Sequence, residues 1–438
     1  MNARPSAPRG ARNLGEAAAC PARRLLHTAL LCALGLPLLA AARGYTHAGR
    51  CGDFARLDIA SPAGTCVALL ADEAEGLRAP RRILEVAPGR YWIADMGSWE
   101  PKRGRLLEMT LPADGLAPRR ARIAVLASGL DRPSGLALGP DGKVYVGEAG
   151  RIWRTPVGAA GAEPQRETVI DQLPDDGTHP LKEIAFGPGD RLYVNVGSSS
   201  DNCRSGKDAP ALPCPDGEGG KPRAAVYEAQ LGGPQRTVQR FAPFTTGLRN
   251  SMALAVLPAT PAAPEGRVLQ GENSIDYRDA QSPPEELNLL QRGRFYGWPY
   301  CVGPRKNAQG YEGRYDCSKS EAPLALWPAH AAPLQMTLGP AGTPFAGQLL
   351  VAWRGPQASG HRVVGFRLDA KTGLPAGPAI DWLAGWQARD GVRPMGRPTG
   401  LTIDRAGRLL VVEDFNRTVL MLLPVQPSAA PSSSSAKP

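Results

Sequence analysis

The chain reads as an all-β protein, a six-bladed β-propeller with four-stranded antiparallel blades, and three observations predict it. One pattern recurs six times: an apolar strand, a turn of Gly, Pro and Asp, and a second strand closing on a small or acidic residue. The copies are PRRILEVAPGRYWIADMG from Pro80, RPSGLALGPDGKVYVGEAG from Arg132, HPLKEIAFGPGDRLYVNVG from His179, RNSMALAVLPATPAAPEGRVLQGEN from Arg249, APLQMTLGPAGTPFAGQLLVAW from Ala332 and RPTGLTIDRAGRLLVVED from Arg397. Between them lie GRLLEMTLP, GRIWRTPV, AAVYEAQL and HRVVGFRL, further strands that complete four-stranded units. Composition agrees: 51 Gly and 44 Pro with 6% aromatics suit short strands and tight turns, and no stretch has the apolar period and length of a helix.

In chain order, residues 1–42 read as an export signal. Arg23-Arg24 precedes the apolar run Leu25–Ala42, which ends on small residues, so cleavage is expected near Ala41 or Ala42. An uncleaved anchor is the alternative, marginal for a run broken by His27 and Pro37; no second spanning segment follows. Residues 43–424 are assigned to the propeller, with Tyr45–Glu75 expected to be irregular. The six cysteines beyond the signal fall into near pairs, predicting the disulfides Cys51–Cys66, Cys203–Cys214 and Cys301–Cys317 and an oxidising compartment. No CxxC or HxxxH spacing favours zinc, and no CxxCH favours a c-type haem. Residues 425–438, VQPSAAPSSSSAKP, read as a disordered tail. The net charge of +10 includes five arginines and one glutamate in residues 1–42; the rest is spread without a basic block, which gives no nucleic-acid signature.

In a propeller, the loops leading into the innermost strands meet at one end of the central channel. Arg81, Arg82, Asp131, Arg132, His179, Lys182, Arg249, Asn250, Gln335 and Arg397 occupy those positions. Such a ring suits a small ligand with several carboxylates, because guanidinium grips carboxylate bidentately. A lone imidazole among cations has a depressed pKa and stays neutral, able to act as a base. Glu285, Glu286, Asn288 and the YGWP segment are read as serving the fold, and His330 and His361 as surface or packing residues.

GTHPLKEIAFGPGDRLYVNVGSSSDNC, TTGLRNSMALAV, GENSIDYRDAQSPPEELNLL, GRFYGWPYC and MGRPTGLTIDRAGRLLVVED together resemble the soluble quinoprotein sugar dehydrogenases, the glucose and sorbosone dehydrogenase-like propellers, over most of Arg81–Leu423. The resemblance implies pyrroloquinoline quinone and Ca²⁺ as cofactors, a sugar or polyol as substrate and a separate electron acceptor. It casts His179 as general base, Arg249 and Asn250 as the pair holding the quinone near its reactive carbonyl, and Glu272, Asn273 and Ser274 as the lining of the calcium site, partly through backbone carbonyls. Lys182, Arg354 and Arg397 become candidate carboxylate clamps. Two departures stand out: Pro180-Leu181-Lys182 after the histidine is similar to the sorbosone branch rather than the glucose branch, and Ser251-Met252-Ala253 replaces the Pro-Gly that follows GLRN in the family. Two other readings stay open, a calcium-dependent lactonase or hydrolase on the same scaffold and a non-catalytic propeller that binds a protein or glycan. Oligomeric state is not legible.

Overall fold

The computed structural model describes residues 47–111, 118–204, 209–386 and 396–425. Residues 1–42, expected to be an export signal, and residues 426–438 of the expected tail lie outside them. Among the described residues six antiparallel sheets form the blades, with their innermost strands neighbours in a closed ring, and a two-stranded sheet of Cys301–Val302 and Lys306–Asn307 lies outside them. Blade 1 is Pro80–Ala87, Arg90–Asp95, Gly104–Thr110 and Arg122–Leu130; blade 2 is Gly135–Leu138, Val144–Gly147, Ile152–Thr155 and Glu167–Ile170. Blade 3 is Ile184–Gly187, Arg191–Val196, Ala225–Gly232 and Thr237–Thr246; blade 4 is Ala253–Leu257, Arg267–Glu272, Glu285–Leu290 and Ala325–Trp327. Blade 5 is Pro333–Leu338, Gln348–Trp353, Arg362–Leu368 and Pro375–Leu383. All six sequence hairpins are the inner hairpins of blades, and the helices among the described residues are three short 3-10 turns.

Blade 6 corrects the sequence reading. Pro398–Ile403, Leu409–Glu413 and Thr418–Pro424 are continued by Thr65–Ala71, Phe54–Leu57 and His47–Cys51, so the stretch expected to be irregular supplies three strands. Met421 pairs with Ala68 and Leu422 with Val67 across this seam, which closes the ring. The apolar run Thr65–Ala71 needs a partner to cover its backbone, and that partner lies at the far end of the chain. Beyond the seam, the Cys51–Cys66 disulfide ties the added strands together.

The core is divided among the gaps between blades. Leu192 and Val194 pack toward blade 2 with Tyr145 and Ile152, while Tyr193, on the opposite face of the same strand, packs toward blade 4 with Leu254 and Val268. Tyr193 and Asn195 are as buried as Leu192 and Val194, because a blade has another blade on each face. Longer loops lie between the second and third strands of blade 3 and between the third and fourth strands of blade 4; Cys203–Cys214 and Cys301–Cys317 staple them around Trp298, Tyr300 and Tyr311. All three expected disulfides are present. Among the described residues no helix is long and apolar enough to cross a membrane.

The channel is closed on its axis by Arg82. This guanidinium, wholly buried, donates to Glu183 and to the carbonyls of Arg81, Thr399, Met252 and Leu334, so one side chain of blade 1 reaches the edges of blades 3, 4, 5 and 6. Arg82 is thus not one of the ligand-facing cations that its position suggested.

Candidate active site

Above this plug a cavity of about 370 Å³ opens at the channel mouth, walled by blades 1, 3, 4 and 5. Its size is that of a small-molecule site. His179, Arg249, Asn250, Asn273, Ser274 and Arg354, all expected at the site, line it together. Lys182, Glu272 and Arg397 are not in its wall.

His179 rides on the loop between blades 2 and 3. Its Nδ1 lies 3.1 Å from the Ser198 carbonyl and 2.9 Å from Ser198 Oγ, whose own proton is donated to the Ser200 carbonyl at 2.6 Å. Both partners of Nδ1 act as acceptors, which assigns the ring proton to Nδ1 and leaves the Nε2 lone pair free. Gly197 makes the close approach feasible, since a Cβ there would stand 2.6 Å from His179 Cβ. Burial, and then the charge of Arg249, push the imidazole pKa down to about 3, with the Ser198 carbonyl offsetting part of this. A pKa this low leaves the imidazole uncharged near pH 7.

Arg249 anchors the blade 4 side. Nε donates to Asp201 Oδ1 at 2.9 Å, the guanidinium donates to Asp276 Oδ2 at 2.8 Å, and Nη1 donates to the Asn273 carbonyl at 2.9 Å. Its carbonyl accepts from Ser198 N at 2.8 Å, so the backing of His179 and the arginine are one hydrogen-bonded unit. Asn273 Nδ2 donates to the carbonyls of Asn250 (3.1 Å) and Pro333 (2.8 Å), and Ser274 Oγ donates to the Pro284 carbonyl (2.6 Å). The Asn250 side chain is left half-buried at the wall, with no hydrogen-bond partner among the described residues.

On the opposite side, Arg81 Nη1 donates to Asp414 Oδ2 at 2.7 Å and Arg354 Nη2 to the same oxygen at 2.9 Å. Behind them Arg397 lies over the Phe415 ring at 4.6 Å. Arg81 is held down to about 10 by burial and by Arg354, and Arg397 is also lowered, by burial and then by Arg354. Two guanidinium groups thus share the Asp414 carboxylate, with a third nearby. The Nε atoms of Arg81 and Arg397 are buried without a partner among the described residues. Excess cation and orphaned donors fit an anionic ligand with more than one carboxylate.

Calcium fits the side chains poorly. Glu272 faces inward, accepting from Arg249 N at 2.5 Å and Gln270 Nε2 at 2.6 Å, and burial followed by the neighbouring Glu286 raises its pKa to about 8. The Asn273 carbonyl accepts from Arg249 Nη1, the Ser274 hydroxyl proton goes to the Pro284 carbonyl, and among the described residues no three His, Cys, Asp or Glu side chains stand together as ligands. Glu285, read as a fold residue, accepts from Ser274 N and Ala332 N, while its neighbour Glu286 accepts from Gly303 N.

Several expected pocket residues sit elsewhere. Lys182 is fully buried, and its Nζ donates to the carbonyls of Pro174 (2.7 Å) and Pro180 (2.6 Å); burial, then Arg223, lowers it to about 7. Arg132 pairs with Asp131, and Gln335 Oε1 accepts from Leu401 N between blades 5 and 6. A larger recess of about 530 Å³ near Asp131, Glu148 and Arg223 lies away from His179, and its buried Glu148 is fully satisfied by Asp131 N, Arg151 and Trp153. Conversely, Trp99, Asp276 and His330 line the cavity without having been singled out for it. Trp99, 59% exposed, comes from the loop after the second strand of blade 1. His330, taken as a surface or packing residue, stands in the wall with Nε2 2.8 Å from the Asp279 carbonyl.

No protein-family model matches the chain, and no curated protein does. Solved structures do match in fold. The calcium structure of a Trichoderma reesei protein of Carbohydrate-Active Enzymes Family AA12 superposes with a TM-score of 0.65 at 19% identity, covering 84% of this chain and 97% of its own. The holo form of the pyranose dehydrogenase PQQ domain from Coprinopsis cinerea gives 0.64 at 20%, covering 84% and 97%. The apo soluble aldose sugar dehydrogenase from Escherichia coli gives 0.55 at 15%, covering 82% and 99%.

Proposed function

We propose that the chain is a quinoprotein dehydrogenase that oxidises a sugar or a related alcohol or aldehyde, with pyrroloquinoline quinone seated in the channel-mouth cavity and electrons leaving to a separate acceptor. One observation carries it: a neutral imidazole with a free Nε2 in a cavity whose facing wall holds clustered arginines. The fold neighbours whose names speak of a PQQ domain and of aldose sugar dehydrogenase support the same reading, and the three disulfides support an exported, periplasmic or secreted protein.

Arg81 and Arg354, with Arg397 behind them, would hold the carboxylates of the quinone, which when bound supplies the hydride acceptor. His179 Nε2 takes the hydroxyl proton of the substrate as the C–H bond is oxidised. The resulting imidazolium is steadied by Nδ1–H donating to the Ser198 carbonyl. Burial dominates the depression to about 3, and the carboxylates of a bound ligand would offset the smaller part that the charge of Arg249 contributes. Arg249, fixed by Asp201 and Asp276, places a cation beside the imidazole where negative charge develops.

The test is reconstitution of the purified protein with pyrroloquinoline quinone, with and without Ca²⁺, followed by a screen of aldoses and polyols with an artificial electron acceptor. Retained quinone absorbance after desalting and substrate-dependent dye reduction are expected. Absence of both overturns the assignment.

A further inference from the structure

The loop that carries His179 returns at both ends to one side chain. Lys182 Nζ donates to the carbonyl of Pro174 at 2.7 Å and to that of Pro180 at 2.6 Å. Both acceptors are prolines, with φ fixed by the ring and no N–H of their own to bond elsewhere. The lysine is in turn fixed to blade 2, since its N donates to Ser134 Oγ and its carbonyl accepts from that hydroxyl, both at 3.0 Å. Blade 2 presses closely enough on this point that a Cβ on Gly135 would stand 2.7 Å from the Lys182 carbonyl. No carboxylate pairs with the amine among the described residues; Asp131, Asp175, Arg132 and Arg223 act on it only at a distance. A fully buried amine serving carbonyls alone is costly where a methionine of similar length would fill the space. What the amine does and an apolar chain could not is hold those two carbonyls together.

His179 lies inside the clamped segment, next to Pro180, and Thr178 N donates to the Ser199 carbonyl at 2.8 Å on its other side. We propose that Lys182 is the positioning residue for His179, fixing the 174–180 loop so that the imidazole keeps Nδ1 on Ser198 and Nε2 toward the cavity. The catalytic consequence rests on the reading of His179 as base; the clamp itself does not.

The test compares wild type with Lys182→Met and with Lys182→Gln, which keeps a donor and covers the case in which the methionine variant does not fold. In the apoprotein, amide exchange over residues 174–181 is expected to rise at least tenfold in Lys182→Met and less in Lys182→Gln, with the blade cores unchanged. Nitrogen-15 NMR of the His179 ring should show one tautomer in wild type and a mixture in the variants. In quinone-loaded protein, kcat should fall at least tenfold at nearly constant KM and quinone affinity. Unchanged exchange and a single tautomer in the variants overturn the clamp, as does loss of quinone binding as their main defect. Full activity of His179→Ala overturns the base reading instead, and the exchange and NMR measurements separate the two because they need no turnover.

Discussion

At His179 the chemistry turns on which ring nitrogen meets the cavity. Because Nδ1 faces two acceptors on Ser198, replacing the ring removes a base without removing a wall of the arginine cluster. His179→Ala is expected to retain the quinone, measured by absorbance after desalting, and to lose turnover by roughly 10²–10⁴-fold. The pH dependence has a definite sign. The base works when neutral and its pKa is depressed, so kcat/KM should rise with pH along an acid limb lying between about 3 and the ordinary histidine value near 6.5, then stay flat to pH 8. A limb centred above pH 7 contradicts this environment. Trp99 makes a separate prediction: an indole 59% exposed beside the cavity offers a face to a flat ligand, so Trp99→Ala should weaken ligand binding by about 1 kcal/mol, read by titration, and wild-type indole fluorescence should be quenched on loading. His179 was legible in the sequence because it heads a repeat copy. Trp99 was not, since it comes from a loop outside the hairpin frame, where repeat position says nothing about direction; His330 sits two residues before the Ala332 copy, on a loop leading into an innermost strand, and the rule that singled out His179 could have flagged it. Lys182 was misplaced for a related reason: sequence puts it beside the histidine, and only packing shows its amine turned to the loop backbone.

Two elements carry predictions of their own. The Cys51–Cys66 bond closes 15 residues across the strands that finish blade 6, so Cys51→Ala with Cys66→Ala should cost on the order of 3 kcal/mol in denaturant unfolding. In blade 4 the adjacent strands Arg267–Glu272 and Glu285–Leu290 bury Glu272 and Glu286, with Gln270 and Asn288 hydrogen-bonded between them. Glu272 has its folded pKa raised to about 8, above its unfolded value of 4.5. Its contribution is fully present below pH 4.5 and fades as pH rises through about 8. The stability advantage of wild type over Glu272→Gln should therefore shrink from pH 5 to pH 8.5 in thermal melts; an advantage that grows over that range refutes the raised pKa. The six inner hairpins were readable because each is a local pattern with its own turn chemistry. The strand Thr65–Ala71 was hidden because one of its pairing partners, Thr418–Pro424, is remote in sequence, and local pattern carries no record of such a partner; Phe54–Leu57 pairs locally with it but lacks the turn chemistry of the repeat.

For the whole molecule, Arg82 concentrates the cohesion of the ring. Removing it strands Glu183, whose pKa burial already raises to about 7, together with carbonyls from blades 4, 5 and 6. Arg82→Met should cost about 3–5 kcal/mol, seen as a lowered denaturant midpoint, and the loss should be smaller when Glu183→Gln is added. The same residue has a kinetic meaning. Met252 and Leu334, whose carbonyls receive Arg82, are also part of the cavity wall, so the channel ends directly beneath the ligand. A vessel stoppered at the bottom has one doorway. The donor of reducing equivalents and their recipient must queue at the same opening, each leaving before the other arrives. Steady-state rates measured against both should then give parallel double-reciprocal lines, with each reactant in excess inhibiting competitively against its counterpart.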